Sequence, residues 1–146
     1  MFEINGVLEM QATGQAIGAK LRAGDLVILS GPLGAGKTAL TQGIGKALGI
    51  SGITSPTFVI SRIHEGQPAL VHVDAYRLQG EVTALFDDLD LESLLPTSIT
   101  VVEWGDGLAD RLSDEYLEIK IGFGNLDDQR ELSIIGHGAR FESFAI

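Results

Sequence analysis

A chain of 146 residues with 45% hydrophobic content has the size of one compact domain (1–146) with a real core, and none of its apolar runs is long enough for a membrane-spanning helix. Ten Lys and Arg against twenty Asp and Glu give a formal net charge of −10, which argues against tight nonspecific nucleic-acid binding, because that depends on basic surface. Cysteine is absent, which excludes disulfides, thiolate catalysis and Cys-ligated zinc and fits a reducing cytoplasm.

The opening Met1-Phe2-Glu3-Ile4 shows neither a basic leader nor an apolar signal core, so the expected location is cytoplasmic. Phe2–Leu8 has the pattern of an edge strand with a turn at Asn5-Gly6. Thr13 is placed to cap a helix that carries Ile17 and Leu21 on one face and stops at Gly24. Leu26-Val27-Ile28-Leu29 is a short continuous apolar run, the pattern of a strand buried on both faces. Gly31-Pro32-Leu33-Gly34-Ala35-Gly36-Lys37-Thr38 follows and fits G-x-x-x-x-G-K-[ST], the phosphate-binding P-loop or Walker A motif. After it Leu40, Ile44 and Leu48 recur every four residues, and Gly49 is placed to end the helix.

Strand, loop and helix are the context this motif requires. Glycines let the backbone wrap a phosphate chain and turn several N–H groups inward at the positive end of a helix. The segment Leu33–Ala39 is therefore expected to bind the phosphates of a nucleoside triphosphate. Lys37 would reach the β- and γ-phosphates, and the Thr38 hydroxyl would be a Mg²⁺ ligand.

Ile53–Ile60 is extended and punctuated by Pro56, and Ala69–Asp74 is a second apolar run ending in a carboxylate. Glu65-Gly66-Gln67-Pro68 resembles a hairpin loop, so Thr57–Arg62 and Leu70–Val73 are expected to pair antiparallel. Between Glu81 and Glu92, acids interleaved with Val82, Leu85, Phe86 and Leu89 predict a short amphipathic helix. Its acids are either a solvated face or a docking surface for a basic partner. Ile99–Val102 is the third buried-strand run and ends in Glu103, followed by Trp104, the only tryptophan. Leu108–Leu112 has room for one helical turn. Alternation at Tyr116–Phe123 and again at Leu132–Ile135 predicts an antiparallel hairpin turning near Gly124–Asp128. The predicted architecture is an α/β, P-loop NTPase-type three-layer fold, with a mixed central sheet between helices and an antiparallel C-terminal hairpin.

Triphosphate hydrolysis needs Mg²⁺ at the β/γ-phosphates and an oriented water, so a carboxylate must come from a neighbouring strand end. In open α/β sheets ligands lie at the C-terminal ends of parallel strands, where Asp74 and Glu103 fall if both strands run parallel to Leu26–Ser30. Asp74 is the natural Walker-B acid. Glu103 either completes the metal shell or polarises the attacking water. Thr57 suits a switch threonine that senses Mg²⁺ and the γ-phosphate, or simply a strand. Trp104 suits a purine-stacking role or the core. His72 shares a face with Asp74, within reach of supporting that acid or of a core hydrogen bond. Arg77 lies close in sequence to the presumed site, where an ion pair is its ordinary role.

The chain has no guanine-reading N/T-K-x-D segment, no Arg-rich lid of the kind that closes over a small-molecule acceptor, and no Ser-His-Asp arrangement. What remains is a minimal ATPase that turns over slowly alone and depends on a partner. An ATP-gated binding module with incidental hydrolysis is the alternative, ahead of a small-molecule kinase.

Four blocks in this order resemble the TsaE (formerly YjeE) family of small bacterial P-loop ATPases. They are the loop Gly31–Thr38, then Ser55-Pro56-Thr57-Phe58, then His72-x-Asp74-x-Tyr76-Arg77-Leu78, and then Glu103-Trp104. The first block is shared by thousands of proteins; the other three at these separations are specific. The resemblance implies a role in tRNA threonylcarbamoyladenosine (t6A) synthesis with ATP and Mg²⁺. Thr38 and Glu103 would then look to Mg²⁺, Asp74 would be the Walker-B acid, Trp104 would pack near adenine, and Ser55-Pro56-Thr57 would act as a switch. It also implies TsaB and TsaD as partners, with tRNA met through them and ATP turnover supporting repeated cycles of modification. Pro32 stands where the family commonly has an acid and Gly105 where it often has proline. Neither position supplies a side chain that the chemistry needs. The C-terminal hairpin carries little family signal.

Overall fold

The protein is described from a computed structural model, which covers residues 1–54, 61–74, 91–103 and 112–146. Seven strands form one mixed sheet. They are β1 (Phe2–Asn5), β2 (Leu26–Ser30), β3 (Ser61–His64), β4 (Ala69–Asp74), β5 (Ser98–Glu103), β6 (Tyr116–Phe123) and β7 (Gln129–His137), in spatial order β1-β7-β6-β2-β5-β4-β3. β2, β5 and β4 run parallel, as does β6 beside β2, while β3–β4, β6–β7 and β7–β1 are antiparallel. Described helices are α1 (Val7–Gly18), α2 (Lys37–Ala47) and the single turn α3 (Leu91–Leu94).

The expected central strands all form. Leu26–Leu29 is almost completely buried because strands flank it on both sides and side chains cover both of its faces. β3 and β4 pair antiparallel across the Glu65–Pro68 turn, Arg62 opposite His72 and Ile63 opposite Val71; of the Thr57–Arg62 strand expected here, Ser61 and Arg62 lie in β3 and Thr57–Ile60 fall outside the described residues. The C-terminal hairpin also forms, but it is no peripheral addition: β6 lies directly against β2, with Val27 opposite Leu117 and Leu29 opposite Ile119. The helix expected at Glu81–Glu92 and the turn at Leu108–Leu112 fall largely outside the described residues.

The N-terminal segment differs from expectation. β1 is the sheet's edge strand and the chain turns after Asn5 as expected, but a helix follows in place of further strand: α1 begins at Val7, one turn and a half before Thr13. Gly6, at φ 95°, turns the chain from strand to helix, and the Glu9 carboxylate reaches back to accept from the Asn5 N–H, a near relative of a capping box. Thr13 is inside the helix, where its hydroxyl donates to the Glu9 carbonyl one turn back at 2.8 Å, so it caps nothing. The helix ends at Gly18, well short of Gly24.

α1 and α2 pack on the sheet face that carries Val27, Leu29, Val101, Leu117 and Ile119. Ile17, Leu40 and Ile44 are fully buried there, each contributing about 1.5–3 kcal/mol. The two helices approach closely because glycines meet at their crossing. A Cβ on Gly14 would lie 2.2 Å from the Leu40 carbonyl, and one on Gly43 would lie 2.1 Å from the Gln11 carbonyl. The opposite sheet face holds Leu26, Ile28, Val71, Val73 and Val102, all buried.

Candidate functional site

The phosphate loop joins β2 to α2, and its glycines adopt conformations that other residues avoid: φ is +80° at Gly34 and +113° at Gly36. Gly36 is the N-cap of α2, and no side chain caps it, so the first helical N–H groups are left for another acceptor. No acid occupies the first turn of α2.

Lys37 is 7% exposed; its ammonium donates to the carbonyls of Gly31 at 2.7 Å and Pro32 at 3.1 Å. Burial lowers its pKa from the usual 10.5, and the charges of Glu103 and Asp74 push it partly back. Both acids stand where the parallel strands end, and the sheet register sets them side by side, Asp74 opposite Glu103. Leu33, Gly34, Gly36, Lys37, Thr38, Asp74 and Glu103 line one cavity of 250 Å³. Every described residue chosen from the sequence for phosphate or metal is there except Ala35 and Ala39, which are buried just behind the loop. Thr57, Arg77 and Trp104 lie outside the described residues.

A larger cavity of 480 Å³ opens where α1, α2 and residues 50–53 meet, lined by Gln11, Gln42, Lys46 and Ile53 among others. It carries no carboxylate. Charge and chemistry therefore mark the smaller cavity as the candidate site.

Glu103 does not stand alone. It is 5% exposed, and its Oε2 meets the Nε2 of His72, fully buried on β4, at 2.7 Å. That geometry assigns the proton to Nε2, since a carboxylate only accepts. The reading of His72 as a buried, hydrogen-bonded histidine holds, and its partner is a carboxylate of the site, Glu103.

The cavity's oxygen donors are the Thr38 hydroxyl and the two carboxylates, a set suited to a hard cation such as Mg²⁺. Among the described residues no group of three or more His, Asp or Glu forms a complete metal cage. Such a site fits Mg²⁺ that keeps several waters and shares phosphate oxygens.

Two contacts of the site have no signature in the sequence. Arg130, at the start of β7, donates to the carbonyls of Ala35 and Gly34, 95 and 96 residues away. Gln42, one turn after Thr38, donates to the Ile53 carbonyl at 2.8 Å and accepts from Gln11 at 2.9 Å, tying α1 and α2 to the segment that leads to Ser55. Neither pattern is periodic or local, so only the folded geometry reveals it.

Similarity to known proteins agrees with this geometry. The family model described as threonylcarbamoyl adenosine biosynthesis protein TsaE matches residues 4–132. The tRNA threonylcarbamoyladenosine biosynthesis protein TsaE of Streptomyces coelicolor is 47% identical over 139 residues, covering 90% of this chain and 93% of that protein. The TsaE of Bacillus subtilis is 36% identical over 137 residues, covering 92% and 84%. The crystal structure of YdiB from Bacillus subtilis superimposes with a TM-score of 0.78 at 32% identity, over 97% of this chain and 87% of that one. The chain belongs to the TsaE family of threonylcarbamoyl adenosine biosynthesis proteins.

Proposed function

We propose that this protein is a Mg²⁺-dependent ATPase subunit of the cytoplasmic machinery that makes t6A in tRNA, a single domain that works with TsaB and TsaD and meets tRNA through them. The observation that carries the reading is the convergence of Lys37, Thr38, Asp74 and Glu103 on one cavity at the mouth of the phosphate loop. Family membership supplies the pathway.

In this reading the N–H groups of Leu33–Ala39 receive the phosphate chain, and the Lys37 ammonium exchanges its two carbonyl partners for β- and γ-phosphate oxygens. Mg²⁺, when bound, would supply positive charge against the negative charge that develops during hydrolysis. Thr38 and Asp74 would hold the ion, with Thr57 joining them from the switch segment. His72 steadies Glu103 through its Nε2–H, so that carboxylate either completes the metal shell or orients the attacking water. Trp104, next in the chain after Glu103, would meet the adenine.

Among the described residues lining the cavity, Lys37 is the sole cation. An added cation from a partner would stabilise the charge that develops in the transition state, and this is the stimulation the reading expects.

Reconstituted multi-turnover tRNA modification, with ATP hydrolysis followed in parallel, tests the proposal. TsaB and TsaD should raise the ATPase rate, and Lys37→Ala should cut the stimulated rate by about a hundredfold or more. Equal product from wild type and Lys37→Ala would sink the mechanism. A rate no higher with partners than without would favour an ATP-gated binding module.

A further inference from the structure

Arg130 is half-buried behind the phosphate loop, on the side away from the two carboxylates, and its guanidinium makes four contacts with backbone carbonyls. Nε donates to Ala35 at 3.1 Å and Nη2 to Gly34 at 3.4 Å. Nη1 donates to Asp127 at 2.7 Å and Gln129 at 2.9 Å, within the turn that starts β7. The guanidinium also lies over the Phe123 ring, 4.9 Å from its centroid. The hairpin thus holds the cation from below while two of its nitrogens grip the loop.

Which carbonyls are gripped matters. In a trans peptide the C=O and the following N–H point in opposite directions. The Gly34 carbonyl shares its peptide with the Ala35 N–H, and the Ala35 carbonyl shares its peptide with the Gly36 N–H. With both oxygens fixed on the hairpin side, both N–H groups must face the other way. The Ala35 N–H bonds the Pro32 carbonyl at 3.1 Å and closes the turn of the loop, so of the pair it is the Gly36 N–H that the grip turns toward a phosphate.

Glycines at 34 and 36 allow these peptides to flip, and a flipped peptide would present oxygen to a phosphate. An acceptor facing an anion repels it; a donor binds it. Arg130 selects the donor-inward state before any ligand arrives, and it adds a fixed positive charge behind the loop.

We infer that Arg130 is a positioning residue of the nucleotide site, locking the phosphate loop in its donor-inward conformation from the C-terminal hairpin. The inference deepens the ATP-binding reading and rests on it. A lysine at this position keeps the charge but cannot bridge two carbonyls in a rigid fork.

Titration of the full chain with fluorescent ADP and ATP analogues, beside thermal melts, tests it. Arg130→Lys should melt near wild type yet bind both nucleotides about tenfold more weakly, the scale of losing hydrogen bonds from a charged donor. ADP and ATP should suffer alike, because the shared phosphates meet the loop. In Arg130→Ala, low-millimolar guanidinium should restore part of the lost affinity without affecting wild type, a rescue that a purely structural role would not show. Should the alanine variant fail to fold, the lysine variant carries the test. Wild-type affinity in Arg130→Lys overturns the inference and leaves the nucleotide site standing. No binding by wild type overturns both.

Discussion

Strand β2 has two different neighbourhoods. On one side, β5 and β4 end in Glu103 and Asp74, whose side chains enter the candidate site. On the other, β6 and β7 meet the phosphate loop at its backbone. A Cβ on Gly31 would lie 2.6 Å from the Ile121 carbonyl, and Arg130 holds the carbonyls of Gly34 and Ala35. One side brings chemical groups, and the other shapes the loop that those groups serve. Chemistry and scaffolding are divided across a single strand.

Mutations on the two sides should therefore fail differently. The largest effect is expected from Glu103→Gln, an isostere that still accepts from His72 Nε2–H. ATP turnover should fall about a hundredfold, the scale of losing a positioned base or metal ligand, with nucleotide affinity and melting temperature near wild type. Turnover at the wild-type rate would remove Glu103 from the mechanism. On the hairpin side, Gly31→Ala should cost about 1–3 kcal/mol of stability, as expected where a new methyl meets backbone that must shift. It should weaken nucleotide binding as well, because the loop moves with it. A melt identical to wild type would mean β6 yields freely and does not brace the loop.

The smallest effect comes from a group at the outer edge of the carboxylate side, beyond β4. His64, at the end of β3, has its pKa lowered from 6.5, first by burial and then by His72 and Arg62. Its neutral form is favoured in the folded protein, so the unfolded chain takes up the proton first as pH falls. Stability should be constant above 6.5, decline as pH drops from 6.5 toward the folded value, and level off below it. His64→Gln should flatten that component of a pH series of melts and leave nucleotide affinity unchanged. A change in affinity would extend the functional region to the sheet's far edge.

The same division explains what was legible from the residues alone. The phosphate loop, Asp74 and Glu103 are recognisable because side-chain chemistry leaves a residue type at a predictable spacing and at a predictable strand end. Glu103 and Asp74 were placed together by one inference, that three apolar runs lie parallel, and the register pairs them directly. Arg130 was invisible for the opposite reason. It binds carbonyls, which every residue possesses, so nothing in the loop sequence marks its partner. The start of α1 was misplaced because Thr13 is a good capping residue in isolation. The actual boundary depends on Gly6 at positive φ and on Glu9 reaching back across it. Local propensity lost to a specific turn.

The sheet order also bears on how the protein is made. The loop follows β2 early in the chain, yet both strands that flank β2 come late, at Ser98–Glu103 and Tyr116–Phe123, and the arginine that grips the loop comes later still. Contacts of such sequence separation close slowly, because the intervening chain must be ordered first. A ribosome that has released only the first hundred residues has therefore exposed a complete nucleotide motif but not a working nucleotide site. A ligand of the completed loop therefore stabilises the assembled sheet rather than the early segments by themselves.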